Sequence, residues 1–306
     1  MDKIAEQALL LGPRKSMVGV VTQGLASAQR TNAPFIVILN AGIIHRVGPN
    51  RMHVALARTL AAAGFSVLRL DLSGLGDSEA RGDGLAPLDA NMADIRDVLD
   101  ALQATRQVRR FVLVGLCSGA DHSVLYAGSD PRVVGVVLLD PSIPRTLRYY
   151  LRHYGIRLLR LRSWLNVVLG RHPHWHALKR RAVPMQDQPD ADAQRPKLEE
   201  PEVRAFLQNA YGRALAQGVQ FLAVLTGGLE QRHNQRRQLL DAFPELSFGA
   251  QLRLEYYKDS DHTFTSEANR ARVIGLIEQW VQSTTFGLAP EVRPQTVVVS
   301  GQAQAR

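Results

Sequence analysis

The pentapeptide Gly115-Leu116-Cys117-Ser118-Gly119 contains the residue types and spacing in this sequence best suited to covalent chemistry. It follows the apolar run 111–114 and precedes a segment compatible with a helix. In a tight strand-to-helix turn of this kind, flanking glycines relieve crowding, and the helix N-terminus favours a developing negative charge at the central residue. The pattern predicts a nucleophile elbow centred on Cys117. The alternative is an inert cysteine that packs as a small apolar side chain.

A thiol nucleophile needs a base within reach and a third group that orients the base. The best candidate for the base is His262, in the segment 259–264 between the last predicted strand and the closing helix. A carboxylate between Cys117 and His262 would complete the chain order nucleophile, acid, histidine, which is the order of an α/β-hydrolase arrangement.

Two carboxylates are candidates for the acid. Glu230 is the nearest one after the predicted strand 219–225, and its longer side chain can compensate for a shifted backbone. Asp140, at the end of the preceding strand, is the alternative, although Asp140-Pro141 is equally typical of a strand-ending turn. We expect Glu230 to be the acid and keep Asp140 as the alternative.

Hydrophobic periodicity predicts the elements that must position these residues. Apolar runs alternate with helical patterns, and this favours an α/β fold with a mostly parallel, doubly wound sheet that opens with a hairpin. The predicted strands are 7–11, 17–22, 35–39, 65–70, 110–114, 133–139, 219–225 and 252–257. The predicted helices are 51–63, 88–105, 202–217 and 268–281.

Composition limits the class of protein. A chain of 306 residues with 45% hydrophobic content can bury a large core. The single cysteine excludes an intramolecular disulfide framework and suits a reducing compartment. The N-terminus lacks a signal-peptide pattern, and no apolar run is long enough to span a bilayer. We therefore expect a cytoplasmic enzyme.

The net charge of +9 is concentrated in one segment. Ten basic residues and no acidic residue lie between positions 141 and 186: Arg145, Arg148, Arg152, Arg157, Arg160, Arg162, Arg171, Lys179, Arg180 and Arg181. An apolar stripe at helical spacing runs through the same segment. We predict a core made of 1–141 and 219–287, a basic helical cap at 142–218 and a C-terminal tail at 288–306.

The cap suggests partners by its charge. It is suited to an anionic membrane surface or an acidic carrier protein, whereas the absence of a recognition motif argues against nucleic acid. The histidines of His172-Pro173-His174-Trp175-His176 have no carboxylate nearby, so we expect neither a metal site nor a cofactor.

The chain resembles the α/β-hydrolase superfamily, in its serine-aminopeptidase-like branch, and in particular the exosortase-system-associated hydrolases of bacterial exopolysaccharide loci. The resemblance extends to about residue 287. It is carried by Gly42 to Arg51, Phe65 to Ser78, the elbow, Tyr149-Tyr150-Leu151-Arg152 and Asp261-His262-Thr263-Phe264. Such relatives also carry a Gly-Leu-Cys elbow, which implies Cys117 as the nucleophile. The chain departs from the pattern at the acid, where the family's aspartate position is occupied by Leu229 or its neighbour.

In this fold two backbone N–H groups stabilise the oxyanion. We expect one from Ser118, directly after the nucleophile, and the other from Ile43, in the loop 40–44. The predicted function is cleavage of a small-molecule or carrier-linked acyl ester or thioester through an acyl-enzyme. The alternatives are an acyltransferase acting on an amine or hydroxyl, and a non-catalytic binding module.

Overall fold

Runs of branched apolar residues form the centre of one eight-stranded sheet. The computed structural model describes residues 4–28, 33–158, 200–229 and 233–286. The strands are β1 (Glu6–Leu11), β2 (Met17–Thr22), β3 (Phe35–Ile38), β4 (Val67–Leu70), β5 (Phe111–Leu116), β6 (Val133–Leu139), β7 (Gln220–Thr226) and β8 (Leu252–Tyr257). All eight predicted strands are confirmed, with shifts of one or two residues at their ends.

The helices of the described residues lie between these strands, except the last one, which follows β8. They are α1 (Met52–Ala62), α2 (Pro87–Arg106), α3 (Ser118–Ala127), α4 (Leu147–Leu158), α5 (Pro201–Ala216), α6 (Gln238–Ala242) and α7 (Glu267–Ser283). The short helix α6 was not predicted, because five residues are too few to show a helical period.

The sheet order is β1-β2-β4-β3-β5-β6-β7-β8. The opening hairpin β1–β2 is antiparallel and β2 pairs antiparallel with β4, whereas every later pair is parallel. The central strands β5 and β6 are buried at every position, as expected for a parallel sheet covered on both faces. The predicted α/β-hydrolase fold is therefore confirmed.

Helices cover both faces of the sheet. Residues of α2, α3 and α5 complete the core on one face, including Leu99, Val124 and Tyr211. Residues of α1 and α7, including Leu56 and Trp280, complete it on the other. Because the parallel strands point the same way, the loops after β3, β5, β6, β7 and β8 meet at one edge of the sheet.

The predicted cap lies largely outside the described residues. Its first helix, α4, and its last, α5, are described, but the intervening residues 159–199 are not. Most of the basic segment and the histidines 172–176 fall in that range, as the predicted tail 288–306 falls beyond residue 286. The domain boundaries therefore stay a prediction. No helix within the described ranges is long and apolar enough to cross a membrane.

The turn from β5 into α3 is closely packed. A Cβ atom added at Gly115 would lie 2.0 Å from the carbonyl carbon of Gly119, and one added at Gly119 would lie 2.4 Å from the backbone oxygen of Asn40. Both obstacles are backbone atoms, so neither can move aside cheaply. The two glycines of the pentapeptide are thus required because backbone segments approach each other at this point.

We expect Gly119→Ala to lower the free energy of unfolding by about 1–3 kcal/mol, the usual effect of overpacking. Urea denaturation measures this change. The matched control is Gly275→Ala in helix α7, where an added Cβ meets nothing within 4 Å. That variant should gain about 0.5–1 kcal/mol from the better helix propensity of alanine. Equal midpoints for the two variants would contradict the crowding at the turn.

Candidate active site

Cys117 occupies the turn between β5 and α3 in a backbone conformation that is rare outside glycine. Its φ is 56° and its ψ is −121°, and it precedes the first residue of α3. Asp140, with φ 48°, and Phe264, with φ 50° and two residues after His262, are also left-handed. Strained non-glycine residues persist only where the surrounding structure holds them, and they are concentrated at functional sites. The loops that carry Cys117, Asp140 and His262 therefore each contain a non-glycine residue with a left-handed backbone.

Asp140 and His262 are hydrogen-bonded across two loops. The Nδ1 atom of His262 lies 2.8 Å from Oδ2 of Asp140. Because an ionised carboxylate only accepts, Nδ1 carries the proton, and Nε2 is the ring nitrogen left for Cys117. A hydrogen bond with the Cys117 side chain is the second interaction of the His262 ring. The side chains thus form a continuous series from carboxylate to imidazole to sulfur.

The electrostatics of the pair favour an imidazolium. Hydrogen bonding to Asp140, followed by that to Cys117, raises the pKa of His262 to about 9 against the opposing effect of burial. Burial alone would raise the pKa of Asp140, but the neighbouring imidazoles, His233 first and then His262, lower it to about 2. At neutral pH the arrangement therefore holds a carboxylate beside a protonated imidazole.

Asp140 is fully buried at the end of β6, and Thr226 at the end of β7 holds it. The backbone N–H of Thr226 donates to Oδ1 and its hydroxyl donates to Oδ2, both at 2.6 Å. Parallel pairing of β6 with β7 brings these strand ends together. The alternative acid named from the sequence is thus the carboxylate that contacts His262. Glu230 lies outside the described residues.

The His262 loop is shaped by its neighbour Asp261. One carboxylate oxygen of Asp261 accepts from the backbone N–H of Thr263 at 2.9 Å and from that of Thr265 at 3.0 Å. The loop is joined to the end of β7 by Gly228, whose N–H donates to the Ser260 carbonyl at 2.8 Å. These contacts fix where the loop places His262.

The loop after β3 faces the elbow. The backbone N–H of Gly42 donates to the Ser118 hydroxyl oxygen at 2.8 Å, and the Ser118 N–H is at the first turn of α3, where amides lack helical partners. Ile43 follows Gly42 and is 89% exposed. The structure thus brings the two segments predicted to supply oxyanion donors into direct contact.

A buried polar network supports this loop from behind. The Asn40 amide group donates to the Ile44 carbonyl at 2.9 Å and to Asp71 at 3.1 Å, and its oxygen accepts from the Leu72 N–H at 2.8 Å. Asp71 also accepts from the backbone and guanidinium of Arg46. Because the polar atoms of Asn40 and Asp71 are bonded inside the protein, the network fixes the loop.

The described start of the cap lies near this edge of the sheet. Arg145, Arg148 and Arg152 are exposed there, with the exposed apolar side chains of Leu147 and Leu151 between them. Arg148 lies 3.6 Å from Asp241 on α6. Among the residues that the structure describes, no group of three or more His, Cys, Asp or Glu side chains is gathered as for a metal ion.

Fold and site together define an α/β hydrolase. The chain belongs to the serine aminopeptidase S33 family, whose model matches residues 33–223, more than half of the chain. No curated protein matches the sequence.

Solved structures share the fold at low identity. One is a putative α/β hydrolase of unknown function from Agrobacterium tumefaciens, with 13% identity, a TM-score of 0.53 and coverage of 91% of this chain and 95% of that one. Another is an α/β serine hydrolase without a lid from Xanthomonas campestris, with 16% identity, a TM-score of 0.51 and 92% of both chains covered. The proline iminopeptidase of Mycobacterium smegmatis has 16% identity and a TM-score of 0.51, with 91% of this chain and 98% of that one covered.

Two residues at the site were not found from the sequence. They are Thr226, the last residue of β7, and His233, in the loop that follows it. Both contact Asp140, but a threonine at a strand end and a histidine in a polar loop have no distinctive spacing. Only their proximity to a buried carboxylate identifies them.

We expect Asp140→Asn to lower the pKa of His262 from about 9 toward the ordinary value of about 6.5, because the carboxylate is the main group that raises it. NMR titration of the His262 ring measures this shift. Asp100→Asn, on the exposed face of α2, is the matched control and should leave the titration unchanged. A pKa that stays near 9 in Asp140→Asn would contradict the assigned cause.

Proposed function

We propose that this hydrolase attacks an acyl ester or thioester with the sulfur of Cys117, using His262 as base and acid and Asp140 as the orienting carboxylate. The observation that carries the proposal is the series Asp140, His262, Cys117, in which the sulfur sits at a strained turn before α3. Each member has the partner that its role requires.

The family description names serine, so the nucleophile needs an argument of its own. Ser118 is the serine nearest the elbow, but its hydroxyl oxygen accepts the Gly42 N–H. The hydrogen bond of the His262 ring other than that to Asp140 goes to Cys117. A nucleophile must be within reach of its base, and this condition favours Cys117 over Ser118.

The proposed reaction has two steps. His262 supports the Cys117 thiolate as an imidazolium, the sulfur forms a bond to the acyl carbon, and the leaving group departs as the oxyanion collapses. His262 gives its proton to that leaving group and then accepts one from water, whose oxygen attacks the acyl-thioester and releases Cys117. The Ser118 N–H and an N–H of the Gly42-Ile43 segment are suited to hold the oxyanion in both steps.

The bond class follows from the leaving groups. Attack of a thiolate on a thioester exchanges one thiolate for another, so the intermediate can collapse in either direction with little bias. An alkoxide or an amine leaves less readily than the attacking thiolate and needs the proton of His262. The carbonyl carbon of an amide is also the least reactive of the three toward attack, and this disfavours peptide substrates. We therefore propose ester or thioester cleavage, and transfer to an amine or hydroxyl where an acceptor replaces water.

An activated thiolate should be visible without knowing the natural substrate. We expect the rate of Cys117 alkylation by iodoacetamide to titrate below the value of about 8.5 for a free thiol, and His262→Ala to remove this shift. Cys117 is the only cysteine in the sequence, so the adduct needs no correction for other thiols. If the Cys117 thiol of the wild-type protein titrates at the value of a free thiol, the result would instead support a non-catalytic binding module with an inert cysteine.

Acyl-enzyme formation should produce one equivalent of p-nitrophenol as a burst with a p-nitrophenyl ester. We expect the burst, and the acyl mass on the Cys117 peptide, to be absent in Cys117→Ala and retained in Ser118→Ala. The opposite pattern would make Ser118 the nucleophile. Adding an amine or alcohol acceptor then separates hydrolysis from acyl transfer by the product released.

A further inference from the structure

A second histidine contacts the buried carboxylate on its other side. His233, in the loop after β7, is fully buried, and its Nδ1 atom lies 3.4 Å from Oδ1 of Asp140. Its Nε2 atom lies 3.0 Å from the carbonyl oxygen of Pro141. His262 contacts Oδ2 of the same carboxylate. Each oxygen of Asp140 thus faces one imidazole.

The partners of His233 determine where its protons lie. A carbonyl oxygen only accepts, so Nε2 must carry a hydrogen. Nδ1 has no partner in hydrogen-bond geometry and stands at ion-pair distance from Oδ1 of Asp140. A neutral His233 would therefore point a lone pair at an anionic oxygen, whereas a protonated His233 would point an N–H at it.

The net charge of the site suggests a role for the contact between His233 and Asp140. With Cys117 as thiolate, His262 as imidazolium and Asp140 as carboxylate, these three groups carry a net charge of −1, and Asp140 is fully buried beside His233. Unbalanced charge is unfavourable where solvent is excluded. A proton on His233 would bring the net charge to zero.

We propose that His233 is a positioning residue that holds the carboxylate of Asp140 and takes up a proton when the Cys117 thiolate forms. This inference rests on the proposed function. It adds a fourth group to the proposed site and predicts that thiolate formation depends on a residue that does not touch the sulfur.

Other charged groups around the His233 loop are engaged elsewhere. On α6, Asp241 accepts from Gln235 at 2.9 Å and lies 3.6 Å from Arg148 of α4. Arg236 lies 3.8 Å from Glu255 on β8. Asn234 donates to the backbone oxygen of Tyr149 on α4. Among the described charged groups, Asp140 is the one in contact with the His233 ring.

Two substitutions separate the contacts of His233. In His233→Gln the amide nitrogen takes the place of Nε2 and can still donate to Pro141. In His233→Asn it takes the place of Nδ1 and can still donate to Asp140. Neither side chain can hold a positive charge. We expect the midpoint of the pH–rate profile for iodoacetamide alkylation of Cys117 to move up by about one pH unit in both variants of the full chain.

The outcomes are distinct. If Cys117 titrates as in the wild-type protein in either variant, the charge-balance role of His233 is overturned. In particular, a shift in His233→Gln but not in His233→Asn would mean that a neutral donor to Asp140 suffices. An ordinary thiol in the wild-type protein would instead refute the proposed function. A measurement without variants is available if these fail to fold: in 15N-histidine-labelled wild-type protein at pH 7, both ring nitrogens of His233 should carry protons. A bare Nδ1 would overturn the inference.

Discussion

The burial of one carboxylate organises the functional edge of this protein. Asp140 is out of contact with water, and a buried charge persists only where hydrogen bonds replace its hydration. Thr226 supplies two, and His262 supplies a third. The loops after β6, β7 and β8 must therefore come together at one point. That requirement also holds the imidazole where it can meet the sulfur.

The turn between β5 and α3 is under a second constraint, which is steric. The backbones of Gly115, Gly119 and Asn40 approach so closely that side chains are excluded between them. This packing brings the N-terminus of α3 beside the loop after β3, where the Gly42 N–H meets the Ser118 hydroxyl. Cys117 adopts its left-handed backbone within this closely packed turn.

The chain belongs to a family whose description names serine, yet the central residue of its elbow is a cysteine. A thiol ionises more easily than a hydroxyl, so a neighbouring imidazolium can stabilise it as an anion before substrate binds. The structure provides the conditions for such a pair, with the pKa of His262 raised to about 9 by Asp140 and by Cys117. The charges of Cys117, His262 and Asp140 do not sum to zero when the thiol is ionised. His233 is of interest because a proton on its ring would balance them.

The sequence alone determined the sheet, the glycine-flanked turn at Cys117 and the position of His262 after the last strand, because these depend on local patterns: apolar runs, glycine spacing and a histidine after the last strand. It named Asp140 only as the alternative to Glu230, because two carboxylates that follow adjacent strands are equivalent in a linear pattern. Tertiary structure decided which carboxylate contacts His262, since parallel pairing of β6 with β7 sets Asp140 against Thr226. His233 became visible for the same reason, because it meets Asp140 only after 92 intervening residues have folded.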